Sequence, residues 1–197
     1  MAGMLAQSVL VLSLVVRIYD AYGLQAEQLT QARMAVDRIL EDAGVTIIWP
    51  RCPCPAPVVA GELVVRVVGA SPASEPASLG FSYVDVERQA GTLATVFADR
   101  VHALATAAGV DDGELLGRAI AHEVSHLLLG TSGHEHLGLM RGEWTTRDLS
   151  NQRAAAWTLT RDERAEIRRA IARRLIESVR PAAVTADADA TPDVSAQ

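Results

Sequence analysis

The chain has five histidines, and four of them crowd into the stretch from His122 to His136. Two stand in the pattern His122-Glu123-Val124-Ser125-His126. Four residues are about one turn of an α-helix, so both imidazoles leave the same side and can converge on one ion. Zinc suits such a pair, because it is borderline-soft, takes imidazole nitrogen readily and accepts tetrahedral geometry. Glu123 follows the first histidine by about 100° around the helix, which puts it near an ion without making it a ligand. There it can hold a water and take its proton, while the metal lowers the pKa of that water toward about 7. The spacing predicts metal-assisted hydrolysis.

A catalytic zinc usually has three protein ligands and one open position, so a third ligand is required. Downstream candidates are His134, Glu135, His136 and Glu143. Gly130 can end the helix in a left-handed turn that folds the chain back, which favours His134 as the third donor. His136 offers the same chemistry, and Glu143 would give a site of two histidines and one carboxylate.

Positioning these groups requires a scaffold. Leu116, Ile120, Val124 and Leu128 form one apolar stripe, so Gly113 to Leu129 reads as a helix with the histidines roughly opposite its core face. Upstream, Ser8 to Tyr19 reads as a buried strand. Leu29 to Ala43 then shows apolar residues at helical spacing, Gly44 is a C-terminal glycine, and Val45 to Trp49 is a short strand. This strand-helix-strand order predicts parallel neighbours. Glu62 to Val68, Phe81 to Val86 and Thr92 to Phe97 are further strands, and Asp99 to Ala108 is a helix. A last helix spans Arg161 to Val179, opened by Thr160 and Glu163 in capping-box spacing and stopped by Pro181. The expected architecture is one α+β domain over residues 1–181, with a mixed, mostly parallel twisted sheet, an active-site helix and a C-terminal helix. The stretch 182–197 lacks aromatic residues and is expected to be disordered.

Composition removes several alternatives. Of 197 residues, 49% are hydrophobic, enough for a core built mainly of Ala, Val and Leu, since aromatics are only 4%. All 18 basic residues are arginine, which excludes a lysine nucleophile or Schiff base. The net charge of -6 argues against a general nucleic-acid binder. Two cysteines, Cys52 and Cys54, are too few for a disulfide scaffold. Met1 to Val16 carries no charge, yet it is too short to span a bilayer as a helix and lacks the basic flank of a signal peptide. No stable membrane span is expected; export from a longer precursor stays open, as do compartment and oligomeric state.

His122-Glu123-x-x-His126, Gly130, His134 and Gly138-Leu139-Met140 together resemble the metzincin zinc endopeptidases. The consensus of that clan is H-E-x-x-H-x-x-G-x-x-H, followed by a methionine-containing turn. Here the glycine comes one residue later, the third histidine two residues later, and Met140 follows closely. The stretch is also similar to small bacterial predicted metallopeptidases with a His-Leu-Leu-Leu-Gly run and a Gly-x-Met-x-x-x-Trp ending, here Gly138 to Trp144. The resemblance covers roughly residues 9–179 in element order. It implies that His122, His126 and His134 bind zinc, that Glu123 is the general base, that Met140 is the Met-turn residue and that the substrate is a peptide or protein. It also implies an edge strand that binds the substrate in extended form, by position Thr92 to Phe97. Tyr83 is the last tyrosine, so the tyrosine that assists some metzincins has no counterpart after Met140.

Two other functions compete with a peptidase. One is a non-catalytic zinc-binding module on the same fold. The other is a metal-free interaction protein using the arginines of the last helix (Arg164, Arg168, Arg169, Arg173 and Arg174), although such a set is commonly a solvated face. Trp144 is a candidate pocket wall or loop anchor, Asp99 and Arg100 are candidates to orient the site, and His102 is read as structural.

Overall fold

The computed structural model describes residues 12–52, 56–70, 78–150 and 157–178. The expected disorder of 182–197, the start of the first strand at Ser8 and Cys54 all lie outside these residues. Cys52 is half-buried.

Five strands form one sheet: β1 (Leu12–Asp20), β2 (Val45–Ile48), β3 (Leu63–Val68), β4 (Gly80–Asp85) and β5 (Ala90–Phe97). Their spatial order is β2-β1-β3-β5-β4. β1 pairs parallel with both β2 and β3, β3 pairs parallel with β5, and only β4 runs antiparallel, against β5. The helices are α1 (Ala26–Glu41), α2 (Ala98–Ala108), α3 (Asp112–Leu129), α4 (Thr146–Ser150) and α5 (Arg161–Ser178). The α+β architecture and the mixed, mostly parallel sheet agree with the sequence pattern. Among the described residues no helix is long and apolar enough to cross a membrane.

One expectation is overturned. Thr92 to Phe97 lies in β5, which is interior, flanked by β3 and β4. The sheet edge beside α3 is β4. The cause is the hairpin between them: its second arm enters beside β3, and this leaves the first arm outermost. Chain order and spatial order are therefore reversed at this end of the sheet.

α1 and α3 pack against one face of the sheet, where Val16, Leu63, Val65, Ala94 and Val96 meet Ala32, Val36, Leu40, Ile120, Val124 and Leu127 in one core. α3 is not one-sided, as its stripe suggested. His122, Glu123, Ser125 and His126 are buried as well, because the chain after Gly130 folds back over the opposite side. The capping box of α5 forms as expected: Thr160 N–H donates to Glu163 Oε2 at 2.6 Å, and Glu163 N–H to Thr160 Oγ1 at 3.2 Å. Two of the α5 arginines turn inward, Arg168 donating to Ala43 O and Arg174 to Gly91 O and Leu127 O. Arg169 and Arg173 bond Glu166 on their own helix. Arg168 and Arg174 are thus spent within the fold, while Arg169 and Arg173 lie exposed on the helix surface.

A buried charge sits in β1. Arg17 is 5% exposed; its guanidinium lies 2.7 Å from Glu62 Oε2 and donates to Ala56 O at 2.7 Å and Pro57 O at 3.1 Å. This set ties the proline-rich loop after β2 to the sheet. Removing one partner of a buried ion pair leaves the other charge desolvated and uncompensated, at a cost of about 3 kcal/mol. Glu62→Ala is therefore expected to lower stability by about that amount, read as a shift in the urea midpoint at unchanged slope.

Candidate metal centre

α3 begins at a built cap. The Asp111 side chain accepts the Glu114 N–H at 2.7 Å, and Asp112 and Glu114 place negative charge in the first turn. It ends at Gly130 with φ +66°, and a Cβ there would come within 2.3–2.5 Å of the Gln89 backbone. Only glycine can turn the chain at this point. From there the chain passes over the buried side of α3.

Two carbonyls of this returning segment set the histidines. His122 Nδ1 lies 2.9 Å from Leu139 O, and His126 Nδ1 lies 2.7 Å from Thr131 O. A carbonyl only accepts, so each Nδ1 carries the proton and each Nε2 of the neutral ring presents a lone pair. Burial keeps the rings neutral. It pushes His122 down to about 4, with His126 and His134 nearby adding to the effect, and it lowers His126 as well. His126 Nε2 lies 3.0 Å from His122 Nε2 and 3.3 Å from His134 Nε2. Lone pairs therefore face each other between His122 and His126 with no proton between them. That arrangement is matched to a shared cation.

Among the described residues, His122, His126 and His134 offer ligand atoms that all lie within 4.8 Å of one another. The structure brings His134 to the helical pair. His136 and Glu143 are exposed and stand outside that group, although Glu143 lines the same cleft. The site fits a metal that accepts three imidazole nitrogens.

Glu123 is 6% exposed, with its carboxylate against β4. Ser82 Oγ lies 2.7 Å from Glu123 Oε2 and 2.8 Å from Glu123 O. Burial pushes the carboxyl up to about 7, and the Ser82 hydrogen bond opposes the rise. Gly80 lets the carboxylate in, since a Cβ there would meet Glu123 Oε1 at 3.0 Å and Thr95 O at 2.6 Å. The residues line a cleft of about 880 Å³, walled by β4, by Arg100, Ala103 and Leu104 of α2, by Ala119 of α3 and by His134 and Trp144 of the returning segment.

Trp144 is a wall of this cleft, its ring 5.6 Å from that of His122 and 4.9 Å from Trp157. The guanidinium groups of Arg118 and Arg141 each lie 4.9 Å from the Trp157 ring, and Arg141 pairs with Asp148 at 3.1 Å. Met140 is fully buried, and its carbonyl accepts the Glu135 N–H at 2.8 Å, closing the returning segment on itself. Asp99 accepts the Ala70 N–H, Arg100 donates to Ser78 O, and His102 Nδ1 sits 3.0 Å from Asp112 Oδ2, away from the cluster. Ser82, Gly80 and Trp157 were missed from sequence. A serine and a glycine two apart in a strand carry no motif, and the single usable signal was that Gly80 and Ser82 share a face by period two.

Solved structures similar to this one include two metalloproteinase-like chains. Archaemetzincin from Methanopyrus kandleri superposes with a TM-score of 0.54 at 12% identity, covering 86% of this chain and 99% of that one. Metalloproteinase-II from Bacteroides fragilis gives 0.51 at 11% identity, covering 84% of this chain and 55% of that one. The fold matches that of metallopeptidases. No family model and no curated protein sequence matches the chain.

A carboxyl at about 7 in the folded protein and 4.5 as the ordinary value holds its proton longer in the folded state. Its contribution to stability is complete below pH 4.5 and is lost as the pH rises through 7. Glu123→Gln removes that loss. In EDTA, the variant is expected to match wild type near pH 4 and to exceed it at pH 8 by on the order of 3 kcal/mol, read from paired urea titrations. A constant difference across this range would show that Glu123 is not buried as described.

Proposed function

We propose that this chain is a zinc-dependent endopeptidase, with His122, His126 and His134 as the metal ligands and Glu123 as the general base. The observation that carries the reading is the meeting of three converging imidazole nitrogens with a raised, buried carboxyl in one open cleft. Zinc held by the three imidazoles would supply Lewis acidity to polarise a scissile carbonyl and acidify water.

The protein's own groups do the rest. Glu123, its carboxyl pushed up to about 7 by burial, takes one proton from a water whose oxygen adds to the peptide carbonyl carbon. The same carboxyl then gives that proton to the departing amine nitrogen as the C–N bond breaks, so the products are a carboxylic acid and an amine. β4, at the sheet edge, runs along the cleft and supports main-chain pairing with an extended peptide, which gives affinity with little sequence selectivity. Met140 takes the place of a Met-turn residue: it is buried within the returning segment and packs into the core beside Leu139, whose carbonyl orients His122. Trp144 excludes water from the His122 side.

The purified protein is expected to carry about one zinc per chain by elemental analysis. Glu123→Ala should lower kcat by roughly 10²-fold or more while that zinc stays bound. Loss of zinc together with activity would make Glu123 a ligand instead. His134→Ala should lose the metal, while His136→Ala keeps it.

A further inference from the structure

Ser82 occupies a place that a metal site alone does not require. Its hydroxyl lies almost equally far from two oxygens of one residue, 2.7 Å from Glu123 Oε2 and 2.8 Å from Glu123 O. A hydroxyl has one proton to give and two lone pairs to accept with, so it serves one of these oxygens as donor at any moment. We propose that Ser82 is a positioning residue for Glu123, donating its O–H to Oε2 so that the carboxyl is held against β4 with Oε1 left free to act.

While Glu123 is a carboxylate, the Ser82 O–H donates to Oε2 and leaves Oε1 to the water. A proton taken from that water sits on Oε1, from which it passes to the departing amine, and the Ser82 O–H goes on donating to Oε2 throughout. The bond to Oε2 is therefore the same before and after the proton moves, and the carboxyl need not turn. Removing the hydroxyl would leave the buried Oε2 without this donor. The rest of the socket is rigid. Ser82 is in β4, hydrogen-bonded to β5 through the pairing of Ser82 with Ala94, and Gly80 admits the carboxylate with no side chain of its own to yield. Because the hydroxyl belongs to the edge strand, the strand proposed to take the peptide also fixes the base against it.

The inference rests on the peptidase reading, and one experiment separates the two. Wild type, Ser82→Ala and Ser82→Thr, each with one equivalent of zinc, are followed on denatured fluorophore-labelled casein and are also crystallised. The expected result for Ser82→Ala is a kcat lowered about tenfold or more, an unchanged KM, unchanged zinc content and a Glu123 carboxyl turned away from β4. Threonine keeps the hydroxyl and should restore both the rate and the carboxyl position. Wild-type kcat in Ser82→Ala, or a carboxyl that stays in place without the hydroxyl, overturns the role of Ser82. No turnover by wild type overturns the peptidase reading instead, and the crystallographic comparison then decides whether Ser82 holds Glu123.

Discussion

Everything at the cleft depends on two hydrogen bonds from imidazole Nδ1 to backbone carbonyls. Leu139 O and Thr131 O fix the tautomers of His122 and His126, and with them the direction of the lone pairs that remain. Each of these carbonyls lies beyond Gly130, so the segment that completes the site also orients the part of it already on the helix. The same enclosure buries the imidazoles of His122 and His126 and the carboxyl of Glu123, lowering the first two and raising the third.

That core is assembled on a simple plan. A mostly parallel sheet carries α1 and α3 on one face, and α3 is enclosed further by the returning segment. Trp157 is central to that enclosure. It lies against Trp144 on the cleft side and against the guanidinium groups of Arg118 and Arg141, one from α3 and one from the returning segment. The wall beside His122 is therefore held by stacking and charge together.

The helices and strands were legible because their apolar residues keep period: Leu116, Ile120, Val124 and Leu128 on α3, and the β-branched runs of β1 and β3. The convergence of His122 with His126 was legible for the same reason, since spacing by one helical turn is local geometry. The approach of His134 was readable only as one of four choices, because a loop path is set by tertiary contacts such as Leu139 N–H to Thr158 O. The edge of the sheet was misread, because sequence order does not say which arm of a hairpin lies outside. Ser82 was invisible. Its role exists only where β4 passes α3, and nothing in its neighbours marks it. Arg17 was equally hidden, since its carboxylate partner stands far along the chain at Glu62.

The alternation of β4 limits how this protein can change. Gly80 and Ser82 face Glu123, while the rings of Phe81 and Tyr83, alternating with them along the strand, meet edge to face. Adding or deleting one amino acid before Ser82 would swing a bulky ring into the space of a hydroxyl and expose what is now covered. The irregular pairing of the hairpin falls between Tyr83 and Val84, past the two residues that matter. Variation in this strand is thus confined to replacement of side chains, and indels are tolerable only on the far side of that irregularity.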